Sequence, residues 1–235
     1  MVNVALRCLH GTRTRLRASG PLPRWCATLP EVRTLHVVGA NEDEHAAWIA
    51  ALDGDSNAFV AIFDLHRDRV YRHALRLTAN VHDAEDVTAG AFLELWRRRM
   101  SVRVVDQTVL PWLLVTTTNV ARNQARALRR YRTLIDALPR VEVSRSAEDE
   151  VLERVVARRT VARVREALSE LSPADASLIS LTAFEDFSPA QVAQVLGISA
   201  TAARTRLHRA RARMATELAE AGIEDKEFSS RETSR

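Results

Sequence analysis

The 235-residue sequence predicts an all-α protein with two small helical domains joined by a flexible linker, the second domain containing a helix-turn-helix. Three observations lead to this prediction. Apolar residues recur at three- and four-residue steps, helix-capping residues precede these stretches, and a segment of mixed charge interrupts them at 134–152. The predicted domains are therefore 45–133 and 153–222. They lie between an N-terminal extension (1–44), which we expect to be disordered, and a flexible tail (223–235).

Charge is distributed unevenly along the chain, although the formal net charge is only +4. Residues 42–100 are net acidic, whereas residues 111–133 and 200–214 contain arginine and neither Asp nor Glu. A basic surface suits phosphates, and a separate acidic surface suits a protein partner. The distribution therefore predicts both a nucleic-acid partner and a protein partner.

The N-terminal extension offers no sign of a built site. Its two cysteines, Cys8 and Cys26, are too few for a disulfide framework, and their spacing with His10 and His36 matches no common zinc finger. It lacks a secretory signal, and no stretch of the chain approaches the roughly 20 apolar residues of a membrane span. We expect a cytoplasmic protein without membrane insertion, metal or cofactor. The extension is either disordered or the product of a misassigned start codon.

Two helices are predicted before residue 80. The first sets in at Glu44 and stops before Gly54, and Asp55 or Ser56 can cap the second. The second helix has one continuous apolar face, on which His66 is expected to be a hydrogen-bonded core residue rather than a ligand. The other members of that face are Phe59, Ile62, Phe63, Val70, Tyr71, Ala74 and Leu77.

A third helix follows a break at residues 80–82, and we predict Asp83 as its N-cap. Its first four residues contain three carboxylates, those of Asp83, Glu85 and Asp86. This density of carboxylates would suit a metal ion or acid-base chemistry. Capping explains them better, because acids in the first turn of a helix interact favourably with its dipole. We therefore predict no catalytic and no metal-binding residue here.

The helix that begins at Pro111 changes character along its length. Its first part is apolar and includes Trp112, and its later part carries Arg122 and Arg126 among polar residues such as Asn119 and Asn123. Proteins that bind single-stranded nucleic acids typically place groups that contact bases next to cations that follow the phosphates. Trp112 alone is no evidence of stacking, because a Trp at helical spacing is more often a core residue.

The second domain begins with two amphipathic helices, the second capped by Ser172, and ends in the helix-turn-helix. Ser188 and Gln191 predict a capping box, Gly197 a left-handed helix end, and Ser199 the cap of the last helix. That helix carries arginines and no acid up to residue 214. A merely solvated helix usually interleaves Glu with Arg, so a recognition helix for the major groove explains the pattern better than an ordinary helical hairpin.

Three motifs together resemble a known family. The resemblance lies in residues 83–99 (DAEDVTAGAFLELWRRR), 111–130 (PWLLVTTTNVARNQARALRR) and 168–214. These segments are similar to regions two and four of the extracytoplasmic-function sigma factors, the small transcription initiation subunits of bacteria. The resemblance covers residues 45–218. It implies binding to RNA polymerase core, reading of the promoter −10 element by the first domain and reading of the −35 element by the second. An anti-sigma factor is a further partner that it allows.

The resemblance also implies roles for individual positions. Core polymerase would face Asp83, Glu85 and Asp86. The −10 element would be read by Trp112, Asn119, Arg122, Asn123 and Arg126, with Asn119 in the pocket for an extruded base. The −35 element would be read by Thr201, Arg204, Thr205, Arg206 and Arg209.

Two other classes of function are open to the same sequence. A stand-alone helix-turn-helix regulator would use the second domain alone, but it would leave the first domain and its basic helix without a purpose. A nucleic-acid enzyme would need a phosphate loop, a metal cluster or a nucleophile with its base at a recognisable spacing, and the sequence contains none of these patterns.

Overall fold

The computed structural model describes residues 40–136 and 152–220. Within these ranges the chain forms eight α-helices, one 3₁₀ turn at Arg99–Ser101 and one isolated β-bridge, without any strand of a sheet. The predicted all-α class is confirmed. The helices are α1 Ala40–Leu52, α2 Ser56–Thr78, α3 Val81–Arg97, α4 Leu110–Asp136, α5 Leu152–Glu170, α6 Pro173–Phe184, α7 Pro189–Leu196 and α8 Ala200–Glu220.

Several sequence predictions lie outside the described residues. They concern most of the N-terminal extension, including the positions considered for zinc (Cys8, His10, Cys26 and His36), most of the linker, and the tail. At the edges of these ranges, α1 begins at Ala40 and α4 runs to Asp136.

Helices α1–α4 form the N-terminal bundle. Its core contains Trp48, Ile62, Leu95 and Leu113, each at most 2% exposed. The apolar face of α2 packs against α1, α3 and α4, so the periodicity of that helix is explained by contact on three sides. Aromatic rings fill the space between α2 and α3 and include a T-shaped pair of Phe63 and Phe92, with ring centroids 4.7 Å apart.

The predicted boundary of the disordered extension at residue 44 needs correction. Helix α1 already includes Glu42 and Asp43, and Glu44 is only 4% exposed. The sequence hides this role, because a buried carboxylate is recognisable only through its partners, which lie near residue 109.

The predicted N-cap of α3 is also wrong. Asn80 caps the helix, with its Oδ1 accepting the backbone N–H groups of His82 at 2.8 Å and Asp83 at 3.2 Å. Asn and Asp are equally good caps, and the helix takes the earlier of the two. Asp83 is instead an acid of the first turn, where it still favours the helix dipole. The predicted cap of α2 by Asp55 is confirmed.

Helices α5–α8 form the C-terminal bundle around α6. Every residue from Ala176 to Leu181 is buried, because α6 contacts α4 on one side and α7 and α8 on the others. A helix buried on all sides must be apolar or small all round, and Ser177 and Ser180 meet this condition by bonding within the chain.

The two bundles pack against each other through one continuous apolar core. Leu110 and Leu114 of α4 belong to the same buried cluster as Leu171 and Leu178 of the C-terminal bundle. Helix α4 therefore contacts α5, α6 and α7 as well as its own bundle.

Candidate nucleic-acid interface

The turn between α7 and α8 is set by local residues. Ser188 closes a capping box with Gln191 at the start of α7. Gly197 ends that helix with φ of 68°, a left-handed conformation that glycine adopts without strain. Ser199 Oγ then accepts the backbone N–H of Ala202 at 3.1 Å and caps α8. The predicted caps are confirmed, and α7 and α8 form the predicted helix-turn-helix.

One side of α8 is packed and the opposite side is exposed. Ala203, Leu207, Ala210 and Met214 face the bundle core and are at most 5% exposed. At about 100° of rotation per residue, Arg204 and Arg209 lie about 140° apart on the other side. Between them lie the exposed Thr201 and Thr205.

The two flanking arginines are available for an external anion. The guanidinium groups of Arg204 and Arg209 make no hydrogen bond or ion pair with the part of the chain that the structure describes. Thr205, in contrast, donates its hydroxyl to the Thr201 carbonyl at 3.1 Å. These four side chains form a surface, here called the α8 face, whose cations have no partner within residues 40–136 and 152–220.

Arg206 occupies a different side of the helix. Its Nε donates to Asp175 Oδ1 at 2.9 Å and its Nη2 to Ser172 Oγ at 3.1 Å. Arg206 lies about 200° around the helix from Arg204, which turns it toward the start of α6. Because the ion pair occupies the guanidinium that a base contact would need, we exclude Arg206 from the α8 face. The sequence prediction had grouped it with that face.

The start of α4 is held by a side chain from α1. Glu44 Oε1 accepts hydrogen bonds from the Val109 N–H and the Thr108 hydroxyl, each at 2.8 Å. His66 Nε2 lies 2.8 Å from the same oxygen, and its side chain is buried in the core as predicted. A carboxylate at the beginning of a helix also interacts favourably with the helix dipole. Glu44 therefore fixes where α4 begins and how it is oriented.

The residues predicted to read the −10 element differ in accessibility along α4. Asn123 and Arg126 are exposed. Trp112 is half-buried and packs against the apolar cores of both bundles. In this arrangement its ring is a packing element that joins the two bundles.

Arg122 lies where α4 meets the C-terminal bundle, and Asn119 lies three residues earlier on α4. Arg122 Nε donates to the Leu171 carbonyl at 2.8 Å, and burial together with the charge of Arg126 lowers the pKa of Arg122 from its usual value. Asn119 Oδ1 is shielded from solvent and has no hydrogen-bond partner among the described residues. The Arg122 guanidinium is therefore hydrogen-bonded within the chain, and the Asn119 amide oxygen is shielded from solvent.

The predicted core-binding acids lie at the start of α3, with Asp83 in its first turn. Asp83 Oδ1 accepts a hydrogen bond from Gln124 Nε2 at 2.9 Å, which ties α3 to α4. Glu85 lies 3.7 Å from the exposed His82, and Asp86 is exposed. Among the described residues no group of three or more His, Cys, Asp or Glu is arranged to hold a metal ion.

A buried polar cluster between the bundles, which the sequence did not predict, surrounds Glu185 at the end of α6. Its carboxylate accepts hydrogen bonds from Arg69 Nε at 3.0 Å, His73 Nδ1 at 3.1 Å and Arg76 Nη1 at 2.5 Å. Burial alone would raise the pKa of Glu185. The bonds and charges of His73 and the two arginines outweigh burial and lower this pKa to about 2.

A sequence signal existed for one member of this cluster. His73 is fully buried and lies seven residues after His66, on the same face of α2. No local signal marks Glu185, because its partners are more than a hundred positions away in the chain.

Comparisons with known proteins agree with the sequence motifs. The family model of sigma-70 region 2 matches residues 62–131, and that of sigma-70 region 4 matches residues 162–214. The chain is 34% identical over 155 residues to the ECF RNA polymerase sigma factor SigE of Mycolicibacterium smegmatis, an alignment that covers 66% of this chain and 59% of that protein. This chain belongs to the extracytoplasmic-function sigma-70 family.

Two further relatives of this sigma factor align over most of their own length. It is 27% identical over 163 residues to SigL of Mycobacterium tuberculosis, covering 69% of this chain and 90% of SigL. It is 26% identical over 164 residues to SigW of Bacillus subtilis, covering 67% of this chain and 87% of SigW. The chain thus spans 59% of SigE but most of the two shorter relatives.

The matched regions correspond to the two bundles. Region 2 falls on α2, α3 and most of α4, and region 4 runs from within α5 into α8. The predicted family is confirmed, and the α8 face belongs to region 4. Within the described ranges, every helix is too short or too polar to cross a membrane.

Proposed function

We propose that this sigma factor binds the core of RNA polymerase and directs it to specific promoters. In this proposal its region 2 reads the −10 element and its region 4 reads the −35 element. The observation that carries the proposal is the α8 face, on the second helix of a helix-turn-helix. There two arginines, which have no partner in the described part of the chain, flank two exposed threonines.

The shape and chemistry of the α8 face suit duplex DNA. The major groove of B-DNA is about 12 Å wide and admits an α-helix. Arg204 and Arg209 are separated by about 7.5 Å along the helix axis, which is close to two base-pair steps. An arginine in this position can donate two hydrogen bonds to a guanine edge or follow a phosphate, and a threonine can contact a thymine methyl group.

Helix α4 carries side chains that can bind an unpaired DNA strand. Asn119, Arg122 and Arg126 follow one another at three- and four-residue steps and so share one side of the helix. An amide can hydrogen-bond the edge of an extruded base, and the two arginines can follow the adjacent phosphates. We assign −10 recognition to this side of α4.

The acidic start of α3 is the surface that we assign to core polymerase. It presents Asp86 to solvent, and Glu85 and Asp83 lie beside it. Charged surfaces of this kind guide association and fix the orientation of partners. The polymerase supplies the chemistry of RNA synthesis, so this chain contributes recognition without a catalytic group of its own. It acts in the cytoplasm, where the polymerase and chromosome are found.

Transcription with purified components tests the proposal. Core polymerase with this protein should produce a promoter-directed transcript, and core alone should not. Mutation of the −10 element should remove the transcript, and so should mutation of the −35 element. A stand-alone helix-turn-helix regulator would bind the −35 duplex but would not give core polymerase this specificity, and that result would contradict the proposal.

A pair of arginine variants tests the α8 face separately. Arg204→Ala should reduce −35 affinity and transcription. Arg163→Ala removes the same charge from the exposed surface of α5, where Arg163 pairs with Glu166 at 3.1 Å, and it should leave both within about twofold. Equal losses in the two variants would mean that only net charge matters.

A further inference from the structure

A cleft lies where α4 meets α5 and the end of α2, and its volume is about 300 Å³. Protein interiors are close-packed, so a space of this size needs small side chains around it. Ala125 of α4 and Ala162 of α5 meet that condition, because both line the cleft. Pockets for small molecules begin at about this volume and are common between domains. The space is here called the α4–α5 cleft.

The walls of the α4–α5 cleft are largely apolar. They include Leu77 of α2, Ala121 and Leu128 of α4, Leu168 of α5 and Ala176 of α6. Leu128 is 43% exposed, so part of this wall is in contact with water. From Ala121 to Leu128 the wall runs for about two turns of α4, which is about 10 Å. A ligand with an apolar body of this length would remove that surface from water, and such burial favours binding.

Two guanidinium groups at the cleft have donors without a partner among the described residues. Arg165 Nε donates to the Arg76 carbonyl at 3.2 Å. Arg122 Nε donates to the Leu171 carbonyl at 2.8 Å. The Nη groups of Arg122 and Arg165 make no hydrogen bond or ion pair with the part of the chain that the structure describes. Burial lowers the pKa of Arg165 to about 10. A nearby anion stabilises a partly desolvated cation, so an anionic ligand would supply the missing acceptors.

The balance of charge favours a single negative charge on the ligand. Three arginines and two acids line the cleft and give it a formal charge of +1, namely Arg122, Arg129, Arg165, Asp83 and Glu166. Arg129 contacts Glu170, and Glu166 pairs with Arg163 at 3.1 Å. One carboxylate would neutralise the remaining charge. A dianion such as a phosphate ester would exceed it and would be repelled by Asp83 and Glu166.

We propose that the α4–α5 cleft binds an amphipathic monocarboxylate, with the head group between Arg122 and Arg165 and the apolar chain along Leu128. The planar fork of a guanidinium matches a carboxylate in a bidentate geometry. At about 30 Å³ for each water-sized group, the cleft holds about ten groups, which corresponds to a carboxylate with a chain of about eight to ten carbons. This inference does not rest on the proposed function, because the site needs neither polymerase nor DNA.

Calorimetric titration of the full-length protein with decanoate tests the site. Decanoate should bind at about one molecule per chain with a dissociation constant of about 10 to 100 μM, which is the range that about a dozen non-hydrogen atoms supply. Decanol has the same chain without the charge, and hexanoate has the same head group with a shorter chain. Each should bind at least about tenfold more weakly. Absence of saturable decanoate binding, or equal affinity for decanol, would overturn the inference.

A pair of variants tests the head-group contact. Arg165→Gln removes the charge and keeps an amide donor, and it should weaken decanoate binding at least about tenfold. Arg97→Gln is the matched control, because it removes the same charge from α3, where 66% of the Arg97 side chain is exposed. The control should stay within about twofold. Equal losses in the two variants would mean that decanoate responds to net charge alone, and the site would be refuted.

A further variant decides the matter if Arg165→Gln does not fold. Ala162→Trp keeps every charge and fills the cleft from an exposed position, and circular dichroism reports whether the helices are kept. It should weaken decanoate binding at least about tenfold, and unchanged binding would place the ligand elsewhere and contradict the inference. Inorganic phosphate should not displace decanoate, and displacement would identify a phosphate site and overturn the inference as well. None of these measurements includes core polymerase, so a failure of promoter-directed transcription is distinguishable from a failure of the cleft.

Discussion

Replacing Glu185 with Gln should lower the free energy of unfolding by about 2 to 3 kcal/mol at neutral pH. Gln has nearly the same shape as Glu, so the substitution removes the negative charge that Arg69, His73 and Arg76 share. Water cannot take over their role, because Glu185 is only 7% exposed. The two arginines and the histidine would therefore lose most of their electrostatic compensation at the junction of the bundles.

The magnitude follows from the pKa of Glu185, which falls from 4.5 to about 2 in the folded protein. Because folding lowers this pKa, the ionised carboxylate stabilises the fold above pH 4.5, and its contribution is lost as the pH falls toward 2. At about 1.4 kcal/mol per pH unit, the full contribution is about 3 kcal/mol at neutral pH, and about 1 kcal/mol of it is gone by about pH 3.5. The Gln amide can keep one of the hydrogen bonds, which restores about 1 kcal/mol of the lost free energy of unfolding.

Urea unfolding followed by circular dichroism at about pH 7 and about pH 3.5 measures both quantities. Glu94→Gln is the matched control, because Glu94 pairs with Arg98 at 2.7 Å on the surface of α3, with 28% of its side chain exposed. The control should cost less than about 1 kcal/mol. The reasoning fails if Glu185→Gln costs no more than the control, or if its cost does not shrink at the lower pH.

Four further substitutions test the assigned surfaces. Arg209→Ala should weaken −35 binding by about 1 to 3 kcal/mol, with unequal effects across base substitutions in the element. Arg206→Ala should chiefly lower the melting temperature of the protein, because it breaks the ion pair with Asp175. Titration on a panel of DNA duplexes measures the first effect, and thermal melts of the protein measure the second. Asp86→Arg should abolish co-purification with core polymerase while circular dichroism still reports a helical protein, and undiminished binding would exclude this surface. Asn119→Ala should impair promoter opening on duplex DNA more than on a template unpaired at −10, because extrusion of a base costs a few kcal/mol that pocket contacts offset. Permanganate footprinting compares the templates, and equal defects would assign Asn119 to the fold.

The sequence predicted those parts of the fold that depend on short stretches of chain. Ser188, Gly197 and Ser199 act within a few residues of themselves, so their caps were recognisable from spacing alone. The apolar periods of the helices and the acid-free helix α8 are local in the same sense. The family motifs added the order of the two regions, which the family models confirm.

The parts that the sequence could not predict depend on contacts between distant elements. Arg206 is identical in type to Arg204, and only the position of Asp175 beside α8 turns it into an internal ion pair. Glu44 looks like the end of a disordered extension until Val109 is known to lie next to it. Glu185 follows the same rule, because a buried charge is tolerated only where its partners are, and those partners lie on another bundle.

The two surfaces that we assign to DNA differ in access. The α8 face is exposed, whereas Arg122 is bonded to the Leu171 carbonyl and Asn119 Oδ1 is shielded from solvent. In the proposed function, an unpaired −10 strand would therefore have to replace the bond between Arg122 and Leu171, whereas a −35 element would meet unbonded arginines among the described residues. Separating the bundles exposes part of the core that contains Leu114 and Leu178, at a cost of about 25 cal/mol for each Å² of apolar surface.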